Sequence, residues 1–221
     1  MTAPREPLAL PSRLYAIVDA DACAAAGHDL VEFVDVLLGE GVRLLQLRAK
    51  HAAPRDVLTW ADAIAARVHG VPGTLFVVND RADVALAAGV PHVHVGQDDL
   101  APADVRELLG PRGVIGLSTH TPEQVVAACA APVDYIAVGP VFGTTTKDTG
   151  YAPVGVDLVR QASAAARGAD PRRPLVAIGG ITPETCGHVI EAGADAVAVI
   201  SGLLEGHPAA AVRRYRRALG E

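Results

Sequence analysis

The sequence predicts an α/β protein built as a single closed (β/α)8 barrel, and three observations predict it. Eight short apolar runs rich in Val, Ile and Leu recur along the chain, as expected of strands buried on both faces. Amphipathic, Ala-rich segments of helical period separate them in strict alternation. The spacing is regular: from Leu14 to Ala196 one run follows another about every 26 residues, a unit length that fits a barrel of compact size. An open doubly wound sheet is the alternative, and eight regular units favour closure.

The strand candidates, in order, are LYAIVD (14–19), LLQLRA (44–49), TLFVVND (74–80), HVHVG (92–96), VIGLST (114–119), YIAVGP (135–140), LVAIGG (175–180) and AVAVIS (196–201). After the first comes DLVEFVDVLLGEG, a helix ending at a pair of glycines suited to its C-terminus. PRDVLTWADAIAARVHG and APADVRELLG follow the second and fourth runs. TPEQVVAACA opens with Thr121-Pro122-Glu123, an N-cap followed by Pro at the first helical position. Helices are also expected over Gly155–Gly168, Thr182–Ala192 and Pro208–Leu219. No interdomain linker is visible. Residues 1–13 read as an N-terminal arm and 14–221 as the barrel, with its active site at the C-terminal ends of the strands.

Composition narrows the function. Half of the 221 residues are apolar and the net charge is −6, so no basic excess points to nucleic acid or an anionic membrane. The one basic cluster, Arg213, Arg214, Arg216 and Arg217, reads as a solvated last helix whose charges suit its C-terminal dipole. The first residues lack the apolar core of a secretory signal, and no apolar run is long enough to span a membrane. Cys23, Cys129 and Cys186 are odd in number and far apart, which suits a reducing, cytoplasmic setting and small packing residues.

Polar residues collect where a barrel does its chemistry, at the ends of the apolar runs. Gln46, Arg48 and Lys50 alternate at the second, so an extended chain puts them on one side. The third run ends in Asn79-Asp80-Arg81 and the fourth in Gln97-Asp98-Asp99. Asp80 with Asp98 or Asp99 makes a seat for Mg2+, which takes few carboxylates and leaves room for substrate phosphates; the same aspartates could instead cap the following helices. His92 and His94 share one side and read as a barrel-interior pair, since no third metal ligand is evident. Ser118 and His120 sit in no nucleophile elbow. The runs ending in Gly179-Gly180 and Ile200-Ser201 precede the loops that commonly bind phosphate in such barrels. Between the sixth run and its helix, Thr144, Thr145, Thr146 and Lys147 offer three hydroxyls and an ammonium to an anion, without the glycine and hydroxyl flanks of a P-loop. Gly143 and Gly150 could serve that loop as hinges.

With these residues in place, the chain resembles the thiamine-phosphate synthase family. The likeness rests on QLRAK, VVNDRADVALAAGVPHVHVGQDDL, IGLSTHT, YIAVGPVFGTTTKDTGYAPVG, AIGGIT and AVISGLL, and runs from about Leu14 to Ser201. The family joins a 4-amino-2-methylpyrimidine carrying a methylene diphosphate to a thiazole carrying a hydroxyethyl phosphate. The resemblance implies that Gln46, Arg48, Lys50, Asn79, Ser118 and Lys147 hold the pyrimidine diphosphate, with Arg48, Lys50 and Lys147 acting on the leaving group. It implies that Asp80 and Asp99 bind Mg2+, and that Thr144, Thr146, Gly180, Ile200 and Ser201 take the thiazole phosphate. The expected partners are these two small molecules, with neither nucleic acid nor membrane; a homo-oligomer is compatible with the sequence. A thiazole tautomerase on the same barrel needs no diphosphate site and leaves QLRAK, Asn79-Asp80 and Lys147 without a role; a sugar-phosphate isomerase or epimerase with His92 and His94 as metal ligands leaves QLRAK and TTTK without one. A silent binding barrel is separated from an enzyme by a product assay.

Overall fold

The computed structural model describes residues 7–143 and 152–221. Eight parallel strands close in sequence order: β1 (Leu14–Asp19), β2 (Leu44–Arg48), β3 (Leu75–Asn79), β4 (His92–Val95), β5 (Val114–Thr119), β6 (Tyr135–Val138), β7 (Leu175–Ile178) and β8 (Ala196–Val199), with β8 pairing back onto β1. This is the expected (β/α)8 TIM barrel.

The side-chain period of two divides each strand between two cores. Leu14, Ala16 and Val18 of β1, Leu45 and Leu47 of β2, and Ile136 and Val138 of β6 face outward into the layer beneath the helices. Tyr15, Ile17, Leu44, Val77, Tyr135, Val176 and Ala198 face inward and fill the lumen. The lumen is therefore packed rather than open, as small barrels require. Leu8 and Leu10 of the N-terminal segment pack against this inner cluster.

The helices that cover the barrel begin and end where local chemistry dictates. A short α1 (Ala20–Ala25), absent from the sequence reading, starts at Asp19, whose carboxylate accepts from the Ala22 N–H at 2.9 Å. It precedes α2 (Leu30–Gly39), capped by Asp29. α3 (Pro54–His69), α4 (Ala82–Ala87) and α5 (Pro102–Leu109) follow. In α6 (Pro122–Ala130), Thr121 caps and Pro122 sits in the first turn, as expected. α7 (Gly155–Gly168), α8 (Cys186–Glu191) and α9 (Pro208–Leu219) complete the ring. α8 begins four residues later than the expected Thr182 start, because Thr182–Thr185 form a turn in which the Thr182 N–H donates to Thr185 Oγ1.

The basic end of α9 is more than a solvated face. Arg213 pairs with Glu40, and the part-buried Arg216 donates to the Glu40 carbonyl, clamping α9 onto the C-terminus of α2. That carbonyl is one that α2 leaves unsatisfied, so the cation serves a helix end other than its own. Among the described residues no helix is long and apolar enough to cross a membrane.

Candidate active site

At the C-terminal ends of β1 to β4 the inward positions turn from apolar to polar or charged. Arg48 and Asp19 are register partners on β2 and β1, and the guanidinium donates to the Asp19 carboxylate. Both are largely buried, at 13% and 5% side-chain exposure. Arg48 Nε is buried with no acceptor among the described residues. Arg48 is thus paired with a carboxylate of the neighbouring strand, which also fixes its direction.

Lys50 lies beyond the end of β2, and its ammonium stands 3.1 Å from Asp80. Asp80 does not cap a helix: α4 starts from Arg81, with no side-chain cap. Its backbone sits at φ 60, a left-handed conformation that is uncommon for a residue with a Cβ and typical of functional turns. Asp99 caps no helix either; it accepts from the Gly96 N–H at 2.7 Å. The two aspartates meet. Burial, and then the adjoining Asp99 carboxyl, push Asp80 up, with Lys50 opposing. Asp99 is held down despite its own burial, by the hydrogen bond from Asp80 and by the Gly96 N–H. Two carboxylates this close share one proton when no cation stands between them. Such a pair fits a divalent cation with most of its sphere left to water and substrate oxygens. Among the described residues no group of three or more acidic, His or Cys ligands converges. Asp98 has no part in the pair.

Deeper in the same mouth lie Gln46, Asn79, His94 and Ser118, which line one pocket with Arg48 and Ile200. Gln46 Nε2 donates to Tyr15 Oη at 2.8 Å. Tyr15 Oη bonds Tyr135 Oη at 2.9 Å, Tyr135 Oη bonds His94 Nδ1 at 2.9 Å, and His94 Nε2 bonds Ser118 Oγ at 2.8 Å. Both ring nitrogens of His94 are thus engaged, as the interior reading of the histidine pair expects, while His92 accepts from the Val114 N–H. The chain of contacts requires Gly116 on β5: a Cβ there would stand 2.1 Å from Tyr135 Cζ and 2.5 Å from His94 Nδ1.

On the far side, β7 ends in Gly179-Gly180. The Val141 and Phe142 N–H groups donate to the carbonyls of Ile178 and Gly179, seating the segment after β6 on the end of β7. Gly180 adopts φ 61, and a Cβ on it would stand 2.4 Å from the Gly143 carbonyl oxygen. From the other end of the loop, Val154 and Gly155 donate back to Pro140 and Val141. The loop carrying the threonines is thus anchored at both ends beside Gly180. Thr144, Thr146 and Lys147 themselves lie outside the described residues. Ile200 and Ser201 follow β8, with Ser201 opening a 3-10 turn over Ser201–Leu203.

Sequence reasoning missed Asp19, Tyr15, Tyr135 and Gly116. The signal for the first three was period two. Tyr15 and Asp19 share the inward face of β1 with Ile17, and Tyr135 begins β6 on its inward face. Read as generic apolar runs, LYAIVD and YIAV concealed a polar row.

Fold and site together define a barrel enzyme whose mouth pairs cations with carboxylates on one side and glycine-rich loops on the other, an arrangement for phosphorylated substrates. The comparisons agree and go further. Residues 14–203 match the family model described as thiamine monophosphate synthase. The chain is 46% identical over 199 residues to the thiamine-phosphate synthase of Koribacter versatilis, covering 89% of this chain and 90% of that one. It is 41% identical to that of Shouchella clausii, covering 88% and 89%. A solved thiamine phosphate pyrophosphorylase from Pyrococcus furiosus superposes with a TM-score of 0.82 at 27% identity, covering 96% of each chain. A 3-hexulose-6-phosphate synthase at 16% identity and TM-score 0.61 shares the fold alone. The chain belongs to the thiamine monophosphate synthase family.

Proposed function

We propose that the chain is a transferase that makes thiamine phosphate. It joins the methylene carbon of a 4-amino-2-methylpyrimidine diphosphate to the ring nitrogen of a hydroxyethylthiazole phosphate and releases pyrophosphate. The observation that carries this reading is the cluster of Arg48, Lys50, Asp80 and Asp99 at the mouth of a barrel of this family.

The methylene is benzylic, and the ring amino group feeds electrons toward it, so the carbon–oxygen bond can break ahead of attack. The bonding pair leaves with the diphosphate. The thiazole nitrogen supplies its own lone pair to the new carbon–nitrogen bond, so no general base is needed. Arg48 and Lys50 lie where charge builds on the departing oxygens, and Lys147 is assigned to the same group. The buried Arg48 Nε, which lacks an acceptor among the described residues, is suited to gaining one when an anion enters. Asp80 and Asp99 would hold Mg2+, which when bound neutralises diphosphate charge and stabilises the leaving group. Asn79, paired in register with His94 beside Asp80, and Gln46 and Ser118 below it, hold the pyrimidine. Thr144, Thr146, Gly180, Ile200 and Ser201 take the thiazole phosphate, with the backbone at Gly180 open to close approach. Both rings then meet without diffusing.

The test is a product assay on the full chain with both substrates, with Mg2+ and with EDTA. Thiamine phosphate formed only with the metal is expected. A folded protein that forms none, with or without Mg2+, overturns the reading.

A further inference from the structure

The lumen of the barrel holds an unbroken row of hydrogen-bonding side chains, one from each of five strands: Gln46, Tyr15, Tyr135, His94 and Ser118. Gln46, Tyr15, His94 and Ser118 all line the pocket in the mouth, and Tyr135 links them from behind; the polar atoms of Tyr15 and both ring nitrogens of His94 are turned to their neighbours in the row. All of it is buried, with Tyr15 1% and Tyr135 0% exposed. Polar groups placed so deep are tolerated only when satisfied, and a row satisfied by its own members has a direction.

That direction follows from the donor inventory. Gln46 presents Nε2 to the Tyr15 oxygen and reaches Tyr135 as well, so its N–H groups are spent inward. Tyr15 and Tyr135 each own one hydrogen. Burial raises both phenols far above their ordinary value, so both keep it. Tyr15, already accepting from Gln46, donates to Tyr135. Tyr135 then donates to His94 Nδ1, which must be the bare nitrogen of the ring. His94 Nε2–H donates to Ser118 Oγ, and the serine hydrogen is free to point into the pocket. Gly116, the one glycine among the described residues where a Cβ would collide with both Tyr135 and His94, keeps the middle link in reach.

We propose that Tyr15, Tyr135 and His94 are positioning residues forming a polarised relay that sets Gln46 as an acceptor and Ser118 as a donor toward the substrate, selecting a 4-aminopyrimidine over its 4-oxo counterpart. The selection is a matter of matching. An exocyclic amino group donates and an unprotonated ring nitrogen accepts, which answers a carbonyl oxygen and a hydroxyl hydrogen. A 4-oxo ring carries an acceptor in place of the amino group and a hydrogen on the neighbouring nitrogen, so it faces like with like. Reversing the site to suit it requires turning every link together, from the amide of Gln46 to the tautomer of His94. Sites built this way reject the mismatched analogue strongly, because buried groups are left unpaired. This inference rests on the pyrimidine-binding reading of Gln46 and Ser118.

Two readouts test it on the full chain. First, 15N NMR of histidine-labelled protein reports the His94 tautomer; the relay requires the hydrogen on Nε2, and a hydrogen on Nδ1 overturns it. Second, calorimetry with Mg2+ and no thiazole compares binding of the 4-amino pyrimidine diphosphate and its 4-oxo analogue. The wild type should favour the amino ring at least about thirtyfold. Tyr135→Phe should cut that preference to about threefold and change the His94 resonances, with thiazole phosphate affinity unmoved. Tyr15→Phe is the second variant should the first not fold. An unaltered preference in a folded Tyr→Phe variant, or no preference in the wild type, overturns the relay. Product formation separates the two claims: a wild type that makes thiamine phosphate with these readouts negative loses the relay alone. One that discriminates the rings as stated but makes no product loses the synthase reading alone.

Discussion

Arg48 and Asp19 occupy paired positions on adjacent strands, and the carboxylate that holds the guanidinium also caps helix α1 through the Ala22 N–H. One acidic side chain thus aims a cation at the mouth and starts the helix that leads away from it. Asp19→Ala removes both at once and leaves Arg48 buried without its counter-charge. The expected loss is about 2–4 kcal/mol, read as a lowered urea midpoint. Asp19→Asn, which keeps a cap acceptor, should recover much of that stability yet still lower turnover, because the guanidinium is no longer held. Equal stability for Asp19→Ala and wild type would contradict this account.

The acidic pair predicts a linked dependence on pH and metal. Asp80 is raised by burial and by Asp99, so around and above the ordinary carboxylate range the native state keeps a proton that the unfolded chain has released. Asp80's contribution is therefore greatest at low pH and fades as pH rises through its elevated native value. Asp99, lowered, acts in the opposite sense. The informative quantity is thus the difference Mg2+ makes. If Mg2+ takes the place of the shared proton, its stabilising shift in Tm should be small near pH 5 and larger near pH 8. A shift independent of pH would count against the pair as the metal seat. In Asp80→Asn the shift should be largely lost.

Gly116 should tolerate nothing larger. Gly116→Ala places a methyl within 2.1 Å of Tyr135 Cζ, which packed neighbours cannot yield without moving. Overpacking of this kind costs about 1–3 kcal/mol. Thermal melts should show the loss, and the methyl should also disturb the contact between His94 and Tyr135. A fully stable Gly116→Ala protein would mean that the lumen is looser than described.

Lys147 separates leaving-group chemistry from binding. If it meets the departing diphosphate, Lys147→Ala should lower kcat by about a hundredfold or more, with thiazole phosphate affinity retained. Thr144→Ala or Thr146→Ala should instead weaken thiazole phosphate, seen as a raised KM for that substrate. An unchanged kcat in Lys147→Ala removes the residue from the chemical step.

Much of this was legible in the order of residues along the chain. Strand identity follows from short apolar runs, helix starts from Thr121-Pro122 and its like, and closure from regular repetition. Those signals are local, set by steric period and by hydrogen bonding within a few residues. QLRAK, NDR and QDD could be placed at strand ends for the same reason. Which groups touch was decided only by the tertiary structure. The sequence separates Asp19 from Arg48, Tyr15 from Tyr135, and Asp80 from Asp99. Strand register and barrel closure bring each pair into contact, and the low-dielectric interior makes the pairing matter. Gly116 shows the difference best. In VIGLST it is an unremarkable small residue, and its necessity appears only when β6 and β4 bring a tyrosine and a histidine to the space a side chain would have filled. Local pattern determined the scaffold and the chemical types at its rim; closure determined their charge states, their partners and their direction.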